Sequence, residues 1–341
     1  MGTAMGALIS NKGVEVSLWA RRDKVRNDIT QNHVNSEYLP GVKLQPNLQC
    51  TTNLSDALKD IDVLVLAIPS HALTEILERI RETIVIRGIN VNFISLSVIK
   101  GTIHPLGRIF ASDEIRRIIK NDVAVLAGPT FASEIAQKKP TVVTLASKSK
   151  EALETIKPLL ETDYLKVFTT NDVRGVELCS ILKNIYSIAV GVVYGMGLGD
   201  NVRGLIVYYA INEMKQIISL YGGKINTLFS PAGLSDFIIT AFSNKSRNRT
   251  IGSLLGLGII KNKQFKTGIL AEGLKSISTI KRFSDEKGLS TPVLNFVNDI
   301  CFKEITPFQA LSNLEIKFFC NRPIGKKNSN QVISLEDCNF S

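Results

Sequence analysis

Met1-Gly2-Thr3-Ala4-Met5-Gly6 opens the chain, and Val14-Glu15-Val16-Ser17-Leu18-Trp19-Ala20 follows after a Lys12-Gly13 turn and runs into Arg21-Arg22. A doubly wound nucleotide domain begins with an apolar strand, a GxGxxG turn and a helix whose N-terminus holds a pyrophosphate. Here the helix-like stretch starts at Gly2 with no strand before it, so the reading is of a dinucleotide fold entered one strand late. In the common strand order the first strand is central. Its loss leaves two neighbouring strands with unpaired backbone groups and opens a gap of roughly 10 Å. The chain as written is therefore expected to be poorly soluble or nearly inactive, with an apolar strand and a GxG turn encoded upstream of Met1.

From Val14 to about Thr170, short apolar β-branched runs alternate with helix-like segments, the pattern of a parallel sheet with crossovers. Strands are expected over residues 14–20, 62–68, 92–97, 123–127, 141–146 and 165–169. The unbroken run Val63-Leu64-Val65-Leu66-Ala67-Ile68 predicts a strand buried on both faces. After Asn171 the spacing becomes helical, over residues 176–189, 202–220, 270–283 and 293–303. The expected fold class is α/β: a Rossmann-like doubly wound parallel sheet with its first strand missing, residues 1–170, then an all-α substrate domain, residues 171–325. Residues 326–341 read as a tail.

An apolar content of 44% and a charged content of 21% exclude wholesale disorder. The longest apolar run, around Ile185 to Leu198, is broken by glycines and short of the roughly 18 residues of a spanning helix, so no membrane span is expected. No targeting signal is legible at either end, which makes the cytoplasm the expected compartment. Cys50, Cys179, Cys301, Cys320 and Cys338 are scattered and odd in number, fitting reduced thiols and neither a disulfide framework nor a metal site. The net charge of +10 is dispersed along the chain, and seven tyrosines with one tryptophan offer little stacking surface. A small anionic substrate accounts for that charge better than nucleic acid does.

All three histidines (His33, His71, His104) lie in the first half, so residues 171–341 offer no imidazole for proton transfer. A lysine with a pKa lowered by burial and a neighbouring cation can replace it. Lys183, within Val176-Glu177-Leu178-Cys179-Ser180-Ile181-Leu182-Lys183-Asn184, is the candidate, and a lysine snorkelling from a helix is the plain alternative. Gly128-Pro129-Thr130-Phe131-Ala132 follows a buried strand, where a parallel sheet presents its ligands. Ser246-Arg247-Asn248-Arg249 offers hydroxyl, guanidinium and amide donors at a helix start, a cradle for a phosphate or else a solvated basic turn. Arg21 and Arg22, at the end of the second strand of the pattern, suit a ribose 2′-phosphate, so NADPH is the expected cofactor with NADH left open.

These segments together resemble the NAD(P)-dependent glycerol-3-phosphate dehydrogenase family over roughly residues 1 to 315. The likeness also runs through Tyr38-Leu39-Pro40-Gly41, Ala67-Ile68-Pro69-Ser70, Lys100-Gly101, Gly197-Leu198-Gly199-Asp200-Asn201, Gly233-Leu234-Ser235-Asp236 and Ala271-Glu272-Gly273. The resemblance implies reduction of dihydroxyacetone phosphate to sn-glycerol 3-phosphate for phospholipid synthesis. Lys183 would transfer the proton, with Lys100 and Asp236 completing the polar cluster. It implies substrate contacts from Lys100, Gly128, Thr130, Lys183, Asp236, Ser246, Arg247 and Asn248. Cofactor contacts would come from Met1, Arg21, Arg22, Lys100, Ala132, Arg247, Leu270 and Glu272. Met1 stands where the family usually has an aromatic residue. From the residues alone, Lys100 also reads as a solvated turn residue, Asp236 as a helix N-cap, and Leu270 with Glu272 as an ordinary helix start. Two rivals stay open: a non-catalytic homologue unable to hold a dinucleotide, and a hydroxyacid dehydrogenase with a catalytic lysine. A homodimer is left open as well.

Overall fold

The computed structural model describes residues 1–102, 109–260, 271–303 and 305–314. Its first element is α1 (Gly2–Ser10), buried from Thr3 onward. β1 (Val16–Trp19) follows, then α2 (Asp23–Asn32), and β2 (Leu48–Thr51) pairs with β1 in parallel. β2 is absent from the sequence reading: four residues with only Leu48 and Cys50 buried are too short and too polar to register as a strand. α3 (Leu54–Ala57) leads into β3 (Val63–Leu66), α4 (Leu73–Arg87), β4 (Ile94–Ser97), α5 (Ala111–Ile119) and β5 (Val123–Ala127). α6 (Ala132–Ala136), β6 (Thr141–Ser147), α7 (Lys150–Leu160) and β7 (Leu165–Thr170) complete this half.

The strands form two separate sheets, β1-β2 and β3-β4-β5-β6-β7, and no described strand bridges β1 and β3. The break corrects one expectation. Val63, Leu64 and Val65 are only half-buried, whereas β4 and β5 are buried throughout, because β3 has a hydrogen-bonded neighbour on one side alone. α1 covers the break. Its Met5 and Leu8 pack in one cluster with Val14 and Val16 from the ribbon side and Val63, Val65 and Ala67 from the larger sheet.

The sheet is also not wholly parallel, since β5 and β6 run antiparallel. The five-residue α6 rises about 7 Å, less than half the length of the strand that a parallel return would have to retrace.

In the second half, α8 (Val173–Gly195) is a single helix of 23 residues, passing through glycines expected to break it. It is long and apolar enough to cross a membrane, with a mean hydropathy of 1.6 over its most apolar window, but that window lies entirely inside the fold. Packed around it are α9 (Gly199–Leu220), α10 (Ile225–Leu228), α11 (Asp236–Phe242) and α12 (Arg247–Gly256). α13 (Glu272–Glu286) and α14 (Pro292–Phe302) also pack on α8, and α15 (Pro307–Ser312) packs on α14.

The glycines of α8 are explained by α12. A Cβ on Gly191 or Gly195 would collide with the Arg249 or Ser253 carbonyl oxygen, and one on Gly252 or Gly256 would collide with the Ile188 or Val192 carbonyl. Two glycines four residues apart on each helix thus let the backbones touch, the close approach typical of small-residue helix pairs. This contact sets the height of the first turn of α12 against α8. Gly252→Ala is expected to lower stability by about 1–3 kcal/mol in denaturant unfolding. Gly204→Ala, on α9 with open space at the Cβ, should be neutral or stabilising by up to about 1 kcal/mol. Equal effects at the two positions would contradict the packing argument.

Candidate active site

Lys183 sits in the middle of α8 and is 4% exposed. Its Nζ lies 2.5 Å from Asp236 Oδ1 and donates to Thr240 Oγ1 at 3.2 Å. Asp236, at the start of α11 and 1% exposed, takes a second ammonium on its other oxygen: Lys100 Nζ is 3.2 Å from Oδ2. Asp236 therefore bridges two lysines instead of capping its helix, and Ser235 occupies the cap position. Lys100 follows the C-terminal end of β4 and also donates to Thr130 Oγ1 at 2.7 Å and to the Gly128 carbonyl at 3.2 Å. It is a clamped, part-buried group, not a solvated turn residue.

Gly128, at φ +139°, turns the chain off β5, where a Cβ would come within 3.0 Å of the Val142 carbonyl oxygen and Val143 Cα. The chain can pass β6 at this distance only with glycine at the turn. The C-terminal ends of two buried strands and two helix segments thus converge on one carboxylate.

Burial, opposed by the pull of Asp236 and reinforced by the Lys100 charge, lowers the Lys183 pKa from 10.5 to about 7. Two ammonium groups facing one carboxylate leave an excess positive charge, which is relieved when Lys183 gives up its proton. The snorkelling alternative is excluded, since the Lys183 head group is buried and paired.

A second network ties this cluster to α12. Asn184 Nδ2 donates to the Lys100 carbonyl at 3.2 Å, and Asn184 Oδ1 accepts from Asn248 Nδ2 at 3.0 Å. Asn248 Oδ1 in turn accepts the Gly273 N–H at 3.1 Å, near the start of α13. Ser246 caps α12 by accepting the Arg249 N–H at 3.2 Å and is itself buried. Thr240 escaped the sequence reading. Its signal is the i, i+4 spacing from Asp236, which puts both side chains on one helix face.

The expected cofactor residues are more widely spread. α1 carries no side-chain cap, and burial together with the nearby Arg247 guanidinium lowers the pKa of the Met1 amino group. An exposed arginine beside the open N-terminus of a buried helix fits a pyrophosphate. Ala132 opens α6, which packs on α1. Glu272, at the start of α13, accepts the Ser70 hydroxyl at 2.6 Å. Arg21 is exposed and makes no hydrogen bond or ion pair with any described residue, while Arg22 is paired with Glu37. Leu270 lies outside the described residues. Among the described residues no three of His, Cys, Asp and Glu gather into a group suited to a metal.

Asp236→Ala would leave two ammonium groups without their shared partner, and the expected loss is about 3–5 kcal/mol near pH 6. The variant's Lys183 would be neutral when folded and protonated when unfolded below about pH 10. Wild-type Lys183 itself sheds its proton near pH 7, so the deficit of the variant relative to wild type should shrink as pH rises toward about 7. Thermal melts across pH check this, and a pH-independent loss would mean that Asp236 does not hold Lys183 charged.

The profile of the NAD-dependent glycerol-3-phosphate dehydrogenase N-terminus matches residues 1–153, and that of the C-terminus matches residues 172–312. The chain is 32% identical over 317 residues to a Clostridium botulinum protein described as glycerol-3-phosphate dehydrogenase [NAD(P)+], covering 93% of this chain and 94% of the relative. A Carboxydothermus hydrogenoformans protein of the same description is 32% identical, with 92% and 93% covered. The crystal structure of glycerol-3-phosphate dehydrogenase from Coxiella burnetii superposes with a TM-score of 0.84 at 29% identity, covering 92% of this chain and 94% of that one.

Proposed function

Because the chain belongs to the NAD-dependent glycerol-3-phosphate dehydrogenase family, we propose that it interconverts dihydroxyacetone phosphate and sn-glycerol 3-phosphate using NAD(P)H. The observation that carries this reading is the buried Lys183 ammonium, shared with Lys100 across Asp236 and poised near pH 7. A bound reduced dinucleotide supplies a hydride to C2 of the ketone. We assign Lys183 to give its Nζ proton to the C2 oxygen as the carbon–oxygen double bond opens, and to take it back in the reverse direction. Lys100, held by Thr130 and Gly128, polarises the same oxygen, and Asp236 fixes both ammonium groups. Arg247 and Asn248, with Ser246 at the start of α12, are assigned to the substrate phosphate. The product would feed phospholipid synthesis.

Residues 1–170 form the dinucleotide half in this reading and residues 171–325 the substrate half, with the boundary between β7 and α8. The free, buried Cys50, Cys179 and Cys301 support a reducing, cytoplasmic setting. A hydroxyacid dehydrogenase is disfavoured because Asn184 directly follows Lys183 and is committed to Asn248, beside the basic start of α12. The second reading, a homologue that keeps the substrate site without holding a dinucleotide, runs against relatives described as glycerol-3-phosphate dehydrogenase [NAD(P)+] over nearly the whole chain. Saturable NADPH binding, followed by nicotinamide fluorescence, rules that reading out.

Lys183→Ala should lower kcat by about 10²- to 10⁴-fold with cofactor affinity little changed. In the wild type, ketone reduction needs Lys183 protonated, so its rate should fall as pH rises through about 7. Alcohol oxidation needs the neutral amine and should rise over the same range. A variant keeping more than about a third of its turnover would remove Lys183 from this role. Arg247→Ala should mainly raise KM for the phosphorylated substrate, since the phosphate is remote from the reacting carbon. An unchanged KM would locate the phosphate elsewhere.

A further inference from the structure

We infer that Glu37 sets the cofactor preference of this site, holding Arg22 away from a 2′-phosphate and offering its carboxylate to a ribose 2′-hydroxyl, so that both NADH and NADPH are accepted. This rests on the dinucleotide reading above and adds a residue that Arg21-Arg22 alone does not reveal. In a doubly wound fold, the residue following the second strand of the pattern meets the adenosine ribose: an acid there accepts the 2′-hydroxyl, and an arginine there pairs with a 2′-phosphate. β1 occupies that place here and continues into two arginines. The fold then brings an acid to the same spot from a later loop.

Glu37 Oε1 lies 2.5 Å from Arg22 Nη2. The same nitrogen donates to the Tyr38 hydroxyl, and the guanidinium carbon sits 5.4 Å from the Tyr38 ring centroid. The loop is fastened in place. Asn35, 2% exposed, donates to Thr3 Oγ1 at 2.8 Å in the first turn of α1, accepts the Tyr38 N–H at 3.1 Å and forms a backbone bridge with Leu39. Glu37 is thereby held beside the helix whose N-terminus faces Arg247. An open groove of about 250 Å³ adjoins Glu37 on the side away from Arg22, lined also by Lys24, Asp28 and Ser36.

The pair works as a competitor because it is weak. Its side chains are 43% and 38% exposed, and a surface ion pair shifts an equilibrium by no more than about fivefold. A 2′-phosphate can therefore displace Glu37 from Arg22 while also using Arg21, which pairs with no described residue, at the cost of standing near a carboxylate. A 2′-hydroxyl needs no displacement and gains an anionic acceptor.

The test titrates the full chain with NADPH and with NADH, following nicotinamide fluorescence, for wild type and Glu37→Gln. Glu37→Gln removes the charge, keeps the size and should leave the melting temperature unchanged. It is expected to tighten NADPH and weaken NADH, moving the ratio of the two dissociation constants by about tenfold or more toward NADPH. Arg22→Gln should move the ratio the opposite way. If both cofactors bind and the ratio stays within about twofold in Glu37→Gln, the role of Glu37 is overturned and the dehydrogenase reading stands. If the wild type binds neither cofactor, the dinucleotide reading falls and this one falls with it.

Discussion

A helix with no face to water must find every partner inside the protein, and α8 is such a helix: every residue from Gly175 to Val193 is buried. Its polar side chains therefore become links to the surrounding elements. Glu177 accepts the Ser112 N–H and hydroxyl at the start of α5, although burial still pushes its carboxyl up to about 7. Lys183 reaches α11, and Asn184 reaches both the end of β4 and α12. The Tyr186 hydroxyl donates to Glu213, whose carboxylate also accepts the Val293 and Leu294 N–H groups and so closes the first turn of α14. The placement of α5, α11, α12 and α14 around the site is fixed by one helix that could not otherwise be buried.

The same constraint produces the chemistry. An isolated ammonium at the depth of Lys183 would be neutral, and one fully matched by a carboxylate would stay charged far above neutral pH. Sharing Asp236 with Lys100 lands between these limits, because the carboxylate is divided and the second cation repels. The cluster keeps an unpaired positive charge at the bottom of the site, which suits an anionic substrate and an oxygen that becomes negative as hydride arrives. Thr240 accepts a hydrogen bond from the Lys183 ammonium and donates one to the Asp236 carbonyl, so the ammonium is aimed as well as paired.

Much of this was legible in the sequence. Six of the seven strands among the described residues lie within about two residues of their expected limits, and Lys183, Lys100, Asp236, Gly128 and Thr130 meet in one cluster. The failures have physical causes. Gly191 and Gly195 read as breakers because a lone sequence shows the cost of glycine in a helix, not the neighbouring backbone that requires it. The antiparallel β6 and the short β2 depend on how much chain α6 and the α2–β2 loop supply, which periodicity does not encode. Thr240 and Asn184 carry no motif of their own. Glu37, fifteen positions from Arg22, is brought to it by loop contacts that no motif announces, the Asn35–Thr3 hydrogen bond among them.

The break in the sheet does not weigh equally on the two ends of the site. Lys100 hangs from β4, and Gly128 with Thr130 from β5, strands paired on both sides within the five-stranded sheet. Arg21 and Arg22 instead follow β1, in a two-stranded ribbon that owes its position to α1 and to the Asn35–Thr3 hydrogen bond. A two-stranded ribbon is marginal unless packed on something else. The Lys100, Gly128 and Thr130 side of the proposed proton-transfer cluster is thus mounted on the five-stranded sheet, while Arg21 and Arg22, which the proposed reading places at the adenosine end, follow a ribbon of two strands. The spacing of Lys183, Asp236 and Lys100 is set by α8, α11 and β4 and does not depend on the position of the ribbon.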